Sequence, residues 1–186
     1  MTGKCNIVFG FFFLLLTASL GPVMVGNLPA IADAGADKQK AVGSLQLSAD
    51  SEFENTETLE PMTGIELAKA NSTALLALNK QLNAQVPNTV IKGGPHAHGN
   101  LEALLNIAVG VVLLMLSIGL RFKQLISTIF IVGTLLHSGM MYLAIIFEQA
   151  WAGTVLGTGI GPVLILIGLL LAAIASGVGI KKGATA

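Results

Sequence analysis

Charge is scarce in this chain, and cysteine is scarcer. Ten basic and ten acidic side chains in 186 residues leave no formal net charge. No run of Lys or Arg supplies the positive stripe that nucleic acid requires, so a nucleic-acid partner is excluded. The single cysteine, Cys5, rules out an internal disulfide and any zinc or iron–sulfur centre built on cysteine. Cys5 also precedes the first apolar run, whereas a lipoprotein cysteine follows one, so lipidation there is excluded as well. Missing too are a nucleophile–base pair, a phosphate-cradling loop and inverted repeats, which ranks hydrolase, nucleotide-binding and lone-transporter functions low. What fills the chain is apolar: 53% of residues are hydrophobic and the mean hydropathy is +0.78. That is too apolar for an ordinary soluble domain of this length, and a lipid bilayer is the expected solvent.

The first 32 residues read as a secretory signal or signal anchor. Lys4 followed by the charge-free run 7–20 has the required charged-then-apolar order. Ala30-Ile31-Ala32, with Ala34-Gly35-Ala36 as a second possibility, offers small-residue cleavage sites that favour removal; Gly21-Pro22 would end an uncleaved anchor helix instead. Residues 33–62, rich in Ala, Gly, Ser, Asp and Glu, bury too little surface to offset the entropy of ordering and read as a flexible acidic spacer. Over 63–94 the recurrence of Ile65, Ala68, Leu75, Leu78 and Leu82 predicts an amphipathic helix, ended by Pro87 and followed by a turn at Gly93-Gly94-Pro95.

Residues 95–186 form the expected membrane domain. Three apolar runs, 101–120, 125–147 and 155–180, each approach or exceed the roughly 20 residues that span a bilayer. Only helices can cross without leaving backbone groups unpaired, so the predicted fold is all-α: a three-helix transmembrane bundle, or four helices if the signal is retained, behind an exported, partly disordered N-terminal segment. Arg121 and Lys123 in the first connection, with Lys181-Lys182 after the third span, place that connection and the C-terminus in the cytoplasm by the positive-inside rule. The expected location is the cell inner membrane, with the 96–102 mouth and the 148–154 loop outside and Trp151 as an interfacial anchor. On the third span Gly157, Gly159, Gly161, Gly168 and Ala172 give a smooth face for helix packing, and Pro162 is placed to bend it.

Chemistry concentrates in the three histidines. His137 is the one histidine inside a span, near its middle, where an imidazole is costly unless paired or ligated. His98, Glu102, Asn106 and Gly110, spaced four apart, form one polar stripe that should face the bundle. Gly133, Thr134, His137 and Met141 share a face of the next helix, set against that stripe. Counting from a turn at 121–124, His98 should stand about 10–15 Å nearer the outer surface than His137, an awkward offset for two axial ligands of one haem. Two arrangements therefore stay open: a cofactor site of His98, His137 and Met141, or a separate outer copper or zinc site of His96, His98 and Glu102. His96 and His98 can chelate together only if 95–100 is a loop. If neither site exists, these are polar residues at a helix entrance, with Asn100 as N-cap and Glu102 favourably placed at the helix dipole.

The segment His96-Ala97-His98-Gly99-Asn100-Leu101, running into a span and followed one helix later by Leu136-His137-Ser138-Gly139, resembles the H-A-H-x-N-L helix of haem-copper oxidase and nitric oxide reductase relatives. The resemblance covers the C-terminal half and implies haem b or copper at His96, His98 and His137, with a role in electron transfer or respiratory chemistry. The chain has too few spans to be a complete oxidase subunit, so an independent enzyme is not expected. The leading expectation is an integral membrane protein binding haem or a transition metal in a redox system. The alternative is a non-catalytic accessory or assembly subunit, without cofactor, whose spans pack against other membrane subunits.

Overall fold

Backbone groups in an apolar medium must be satisfied within their own segment, and this chain is helical nearly throughout. The computed structural model describes residues 2–55, 58 and 60–180. In order the elements are α1 (Thr2–Ala18), α2 (Leu20–Gly26), α3 (Leu28–Asp50), α4 (Gly64–Ile91), α5 (Ala97–Met115), α6 (Leu120–Thr134), α7 (Met140–Ile146), α8 (Ala150–Gly157) and α9 (Ile160–Gly179). Among the described residues the one β contact is an isolated bridge between Glu54 and Pro61, and four helical stretches are long and apolar enough to cross a membrane. The chain divides into a bundle, residues 1–21 with 90–186, and a helical hairpin, residues 22–89.

The bundle turns many large apolar side chains outward and keeps its polar ones inside, unlike a water-soluble domain. Phe12, Leu15, Leu104, Leu166, Leu170 and Val178 are exposed, whereas Asn6, Glu102, Asn106, Ser127, Thr134 and Ser138 are buried. Its helices run antiparallel in sequence order. Gly3 and Gly110 touch on α1 and α5, with a Cβ at Gly110 falling only 2.6 Å from the Gly3 carbonyl oxygen. Gly133 and Gly168 likewise let α6 and α9 close on Ile165 and Phe130, an approach that small residues permit in membranes. An apolar cluster of Val109, Leu113, Leu116, Ile126, Phe130, Ile165 and Ala175 fills the end of the bundle near the α5–α6 turn.

Several boundaries differ from the sequence expectation. The α5–α6 connection falls at residues 116–119, where Leu116 and Gly119 turn extended, so Arg121 and Lys123 lie in the first turn of α6 rather than in the loop. The third apolar run is split: Gly159 adopts the left-handed conformation, φ 70°, which a residue without Cβ enters freely. Pro162 therefore sits in the first turn of α9, where its missing N–H costs nothing, and starts the helix instead of bending it. Gly161 and Gly168 are packed as expected, while Gly157 and Gly159 face open space.

In the hairpin, the stretch expected to be a flexible spacer is helical through Asp50. Its alanines are strong helix formers, and Ala34 is fully packed. Lys80 on α4 donates to Asp37 on α3 at 2.7 Å; this hydrogen bond and its charge hold the Asp37 carboxyl below its ordinary value, and Asp37 raises Lys80 in return. Helix α4 opens with a capping box. The Thr63 N–H donates to Glu66 Oε2 at 2.7 Å and the Glu66 N–H to the Thr63 hydroxyl at 3.3 Å, which lowers the Glu66 carboxyl. Pro87 does not end α4. It removes one hydrogen bond, and the following residue, Asn88, restores the turn's anchorage by donating to the Met24 carbonyl at 2.9 Å and accepting from Asn27 at 2.8 Å.

Candidate metal centre

The break that Pro87 was expected to make occurs at Gly94, whose backbone leaves helical geometry (φ −102°, ψ −109°) just before Pro95. Helix α5 starts immediately after. Because residues 97 onward are helical, His96 and His98 point about 200° apart around the axis and do not chelate together. His96 Nδ1 instead meets the backbone carbonyl of Thr17 at 3.1 Å. Asn100 lies inside the first turn, not at an N-cap, and accepts the Thr17 hydroxyl at 2.7 Å.

His98, Glu102 and Asn106 of the stripe do meet the second span, where the partner is His137, while Gly110 packs on α1. Residues His98, Glu102 and His137 each place a ligand atom within 4.8 Å of the others. The two imidazoles meet edge to face, with ring centroids 5.1 Å apart and planes at 70°. The offset expected between them is therefore absent, and the reason is the turn. His98 stands 17 residues before Met115, the end of α5, and His137 stands 17 residues after Leu120, the start of α6 (98 to 115, 120 to 137), so the two lie level.

His137 Nδ1 is hydrogen-bonded to Glu102 Oε1. With Glu102 ionised, the carboxylate only accepts, so Nδ1 would carry the proton and a neutral ring would keep its Nε2 lone pair. The Glu102 side chain is 5% exposed and that of His137 13%, yet Glu102 Oε2 has no hydrogen-bond partner. His98, by contrast, is open to the outside of the bundle. The helix widens to a π-type turn over Leu135–Gly139, a deformation that recurs at functional sites, and it carries His137 with the buried, unpartnered hydroxyl of Ser138. Gly161 of α9 presses on this turn: a Cβ there would stand 2.6 Å from the His137 backbone nitrogen.

Below the centre, Asn106 donates to Thr134 Oγ1 at 2.8 Å and to the Glu102 carbonyl at 3.0 Å. Asn6 of α1 donates to Asn106 Oδ1 at 3.0 Å and accepts the Ser127 hydroxyl. The two imidazoles of the first expected arrangement thus meet, with Glu102 of the second beside them, and the sulfur of Met141 packs against Gly94. Asn6 and Ser127 were missed by sequence reasoning, although an asparagine at the edge of an apolar run was the available signal. No family model, no curated protein and no solved structure matches the chain.

Proposed function

We propose that the protein is an integral membrane protein that binds a transition metal ion at His98, Glu102 and His137, in a respiratory or redox system. The observation that carries this reading is the Glu102 carboxylate: sealed from solvent, bonded through one oxygen, and left with an unpartnered second oxygen beside two imidazoles. A buried carboxyl oxygen without a partner is costly, and a bound cation would satisfy it. Two imidazoles and a carboxylate form a donor set that suits copper or zinc and leaves a coordination position open. The redox setting favours copper, in keeping with the H-A-H-x-N-L resemblance. The Glu102–His137 hydrogen bond holds the two groups in place before an ion enters; a carboxylate bonded to Nδ1 cannot also reach an ion on Nε2 of the same ring, so ligation by Glu102 replaces that bond.

Haem fits these residues less well. Axial imidazoles stand on opposite faces of a macrocycle, whereas here the rings touch edge to face. Charge supports the orientation read from sequence: Lys4 at the start of α1 belongs to the same bundle end as Arg121 and Lys123, because α1 and α6 each run antiparallel to α5. That end is cytoplasmic and the histidine end faces outward, in a cell inner membrane. The second reading is an accessory subunit packed against other membrane proteins; it is favoured by the fact that His137 and Glu102 already satisfy each other through one bond.

Metal analysis of the protein purified in mild detergent, with a reduced-minus-oxidised visible spectrum, separates these readings. Stoichiometric copper or zinc is the expected result. A Soret band would substitute haem for the ion, and neither metal nor Soret band would leave the accessory reading.

A further inference from the structure

The polar chain below the metal centre reaches into α1. Asn6, fully buried, donates to Asn106 at 3.0 Å and to the backbone carbonyl of Ser127 at 3.4 Å. Asn106 in turn holds Thr134, three residues before His137, and the carbonyl of Glu102 itself. At the other end of α1 the Thr17 hydroxyl donates to Asn100, and its carbonyl meets His96. Between these two clips the backbones are as close as two helices can come: a Cβ at Gly10 would lie 2.7 Å from the carbonyl oxygen of Ala103.

An export signal needs only charge, an apolar run and a cleavage site. Specific polar complementarity to two later helices serves nothing in a segment that is removed, and removal would leave the Asn106 carbonyl oxygen without its donor inside the membrane, at a cost of about 1–3 kcal/mol for a buried polar group. We infer that α1 is a permanent fourth span of the mature protein, not a leader that is removed, and that Asn6 is a positioning residue acting through Asn106 on Glu102 and His137. The inference does not depend on which ligand, if any, the histidines hold.

Two measurements on the full chain test it. Intact-mass spectrometry of C-terminally tagged protein, expressed in a bacterial membrane with active leader peptidase, should give a mass that includes residues 3–18; a mature chain beginning after Ala32 or Ala36 overturns the inference. Nitrogen NMR shifts of the metal-free His137 imidazole, assigned by their loss in His137→Ala, report its bond to Glu102. In Asn6→Leu those shifts should move away from the wild-type values, and Asn6→Ser, which keeps a hydrogen-bonding group, should move them less. Shifts unchanged in Asn6→Leu, with only a lower melting temperature, would reduce Asn6 to a packing residue and overturn its positioning role. Should Asn6→Leu fail to fold, Asn6→Ala takes its place: wild-type shifts overturn the role and displaced shifts support it.

Discussion

His137 Nδ1 and Glu102 Oε1 share a hydrogen bond across the contact between α5 and the helix that follows it, a bond between side chains 35 positions apart. Buried as they are, either group would be costly alone. Together they present an imidazole Nε2, a spare carboxylate oxygen and, at their edge, the ring of His98.

Removing either partner should therefore cost metal before it costs fold. Glu102→Gln keeps an acceptor but removes the charge, and should weaken Cu(II) or Zn(II) binding by at least about 10-fold, the lower end for losing even an outer partner of the ligands. His137→Ala should weaken it more than Glu102→Gln does. Competition titration against a chelator of known affinity measures both; equal affinity in wild type and His137→Ala would remove His137 from the site.

Protons compete with the ion for imidazole nitrogen and carboxylate oxygen, so binding releases protons and affinity falls as pH is lowered. Titrations at a series of pH values should show apparent affinity rising toward neutrality. A flat profile would mean that the ion is held by other groups.

Steric demands on α9 differ sharply along its length. Gly161→Val drives a side chain into the backbone of the His137 turn and should destabilise the bundle by about 1–3 kcal/mol, the usual cost of overpacking. Gly157→Ala projects into open space and should stay within about 0.5 kcal/mol of wild type. Thermal unfolding in detergent compares the two, and equal effects would contradict the α6–α9 contact.

The exposed Lys80–Asp37 pair tests the hairpin. Asp37 has its carboxyl lowered by Lys80, so the pair's contribution is present above the ordinary carboxylate value and is lost as pH falls through the lowered one. Lys80→Met should return the Asp37 titration toward its ordinary value by NMR. Because both groups are exposed and screened, the melting temperature at neutral pH should hardly change. An Asp37 titration unmoved by the substitution would break the pairing.

Much of this was legible in local pattern. Apolar runs of bilayer length leave helices as the available backbone solution, and four-residue spacing set Glu102 and Asn106 on the buried face of α5, where they are found. Other readings failed for identifiable reasons. Counting charged side chains placed the α5–α6 turn at Arg121, but a Lys or Arg can sit in a first helical turn and extend to the interface, whereas the backbone turns near Gly119. Scoring 33–50 by composition as unable to order overlooked how well alanine supports a helix once a second helix lies beside it.

By itself, then, the sequence determined the class of the protein and the solvent it requires: helices, apolar surfaces turned outward, and a few polar side chains too costly to face lipid. It also narrowed the candidate ligands, since only three histidines exist. Which of them meet was decided by tertiary structure alone. A shift of the turn by a few residues slides one span past the other by about 1.5 Å per residue, and no pattern within either helix records that register. The same holds for Asn6, which reads locally as an interruption of an apolar run and becomes part of the centre's framework only when α1 lies against α5.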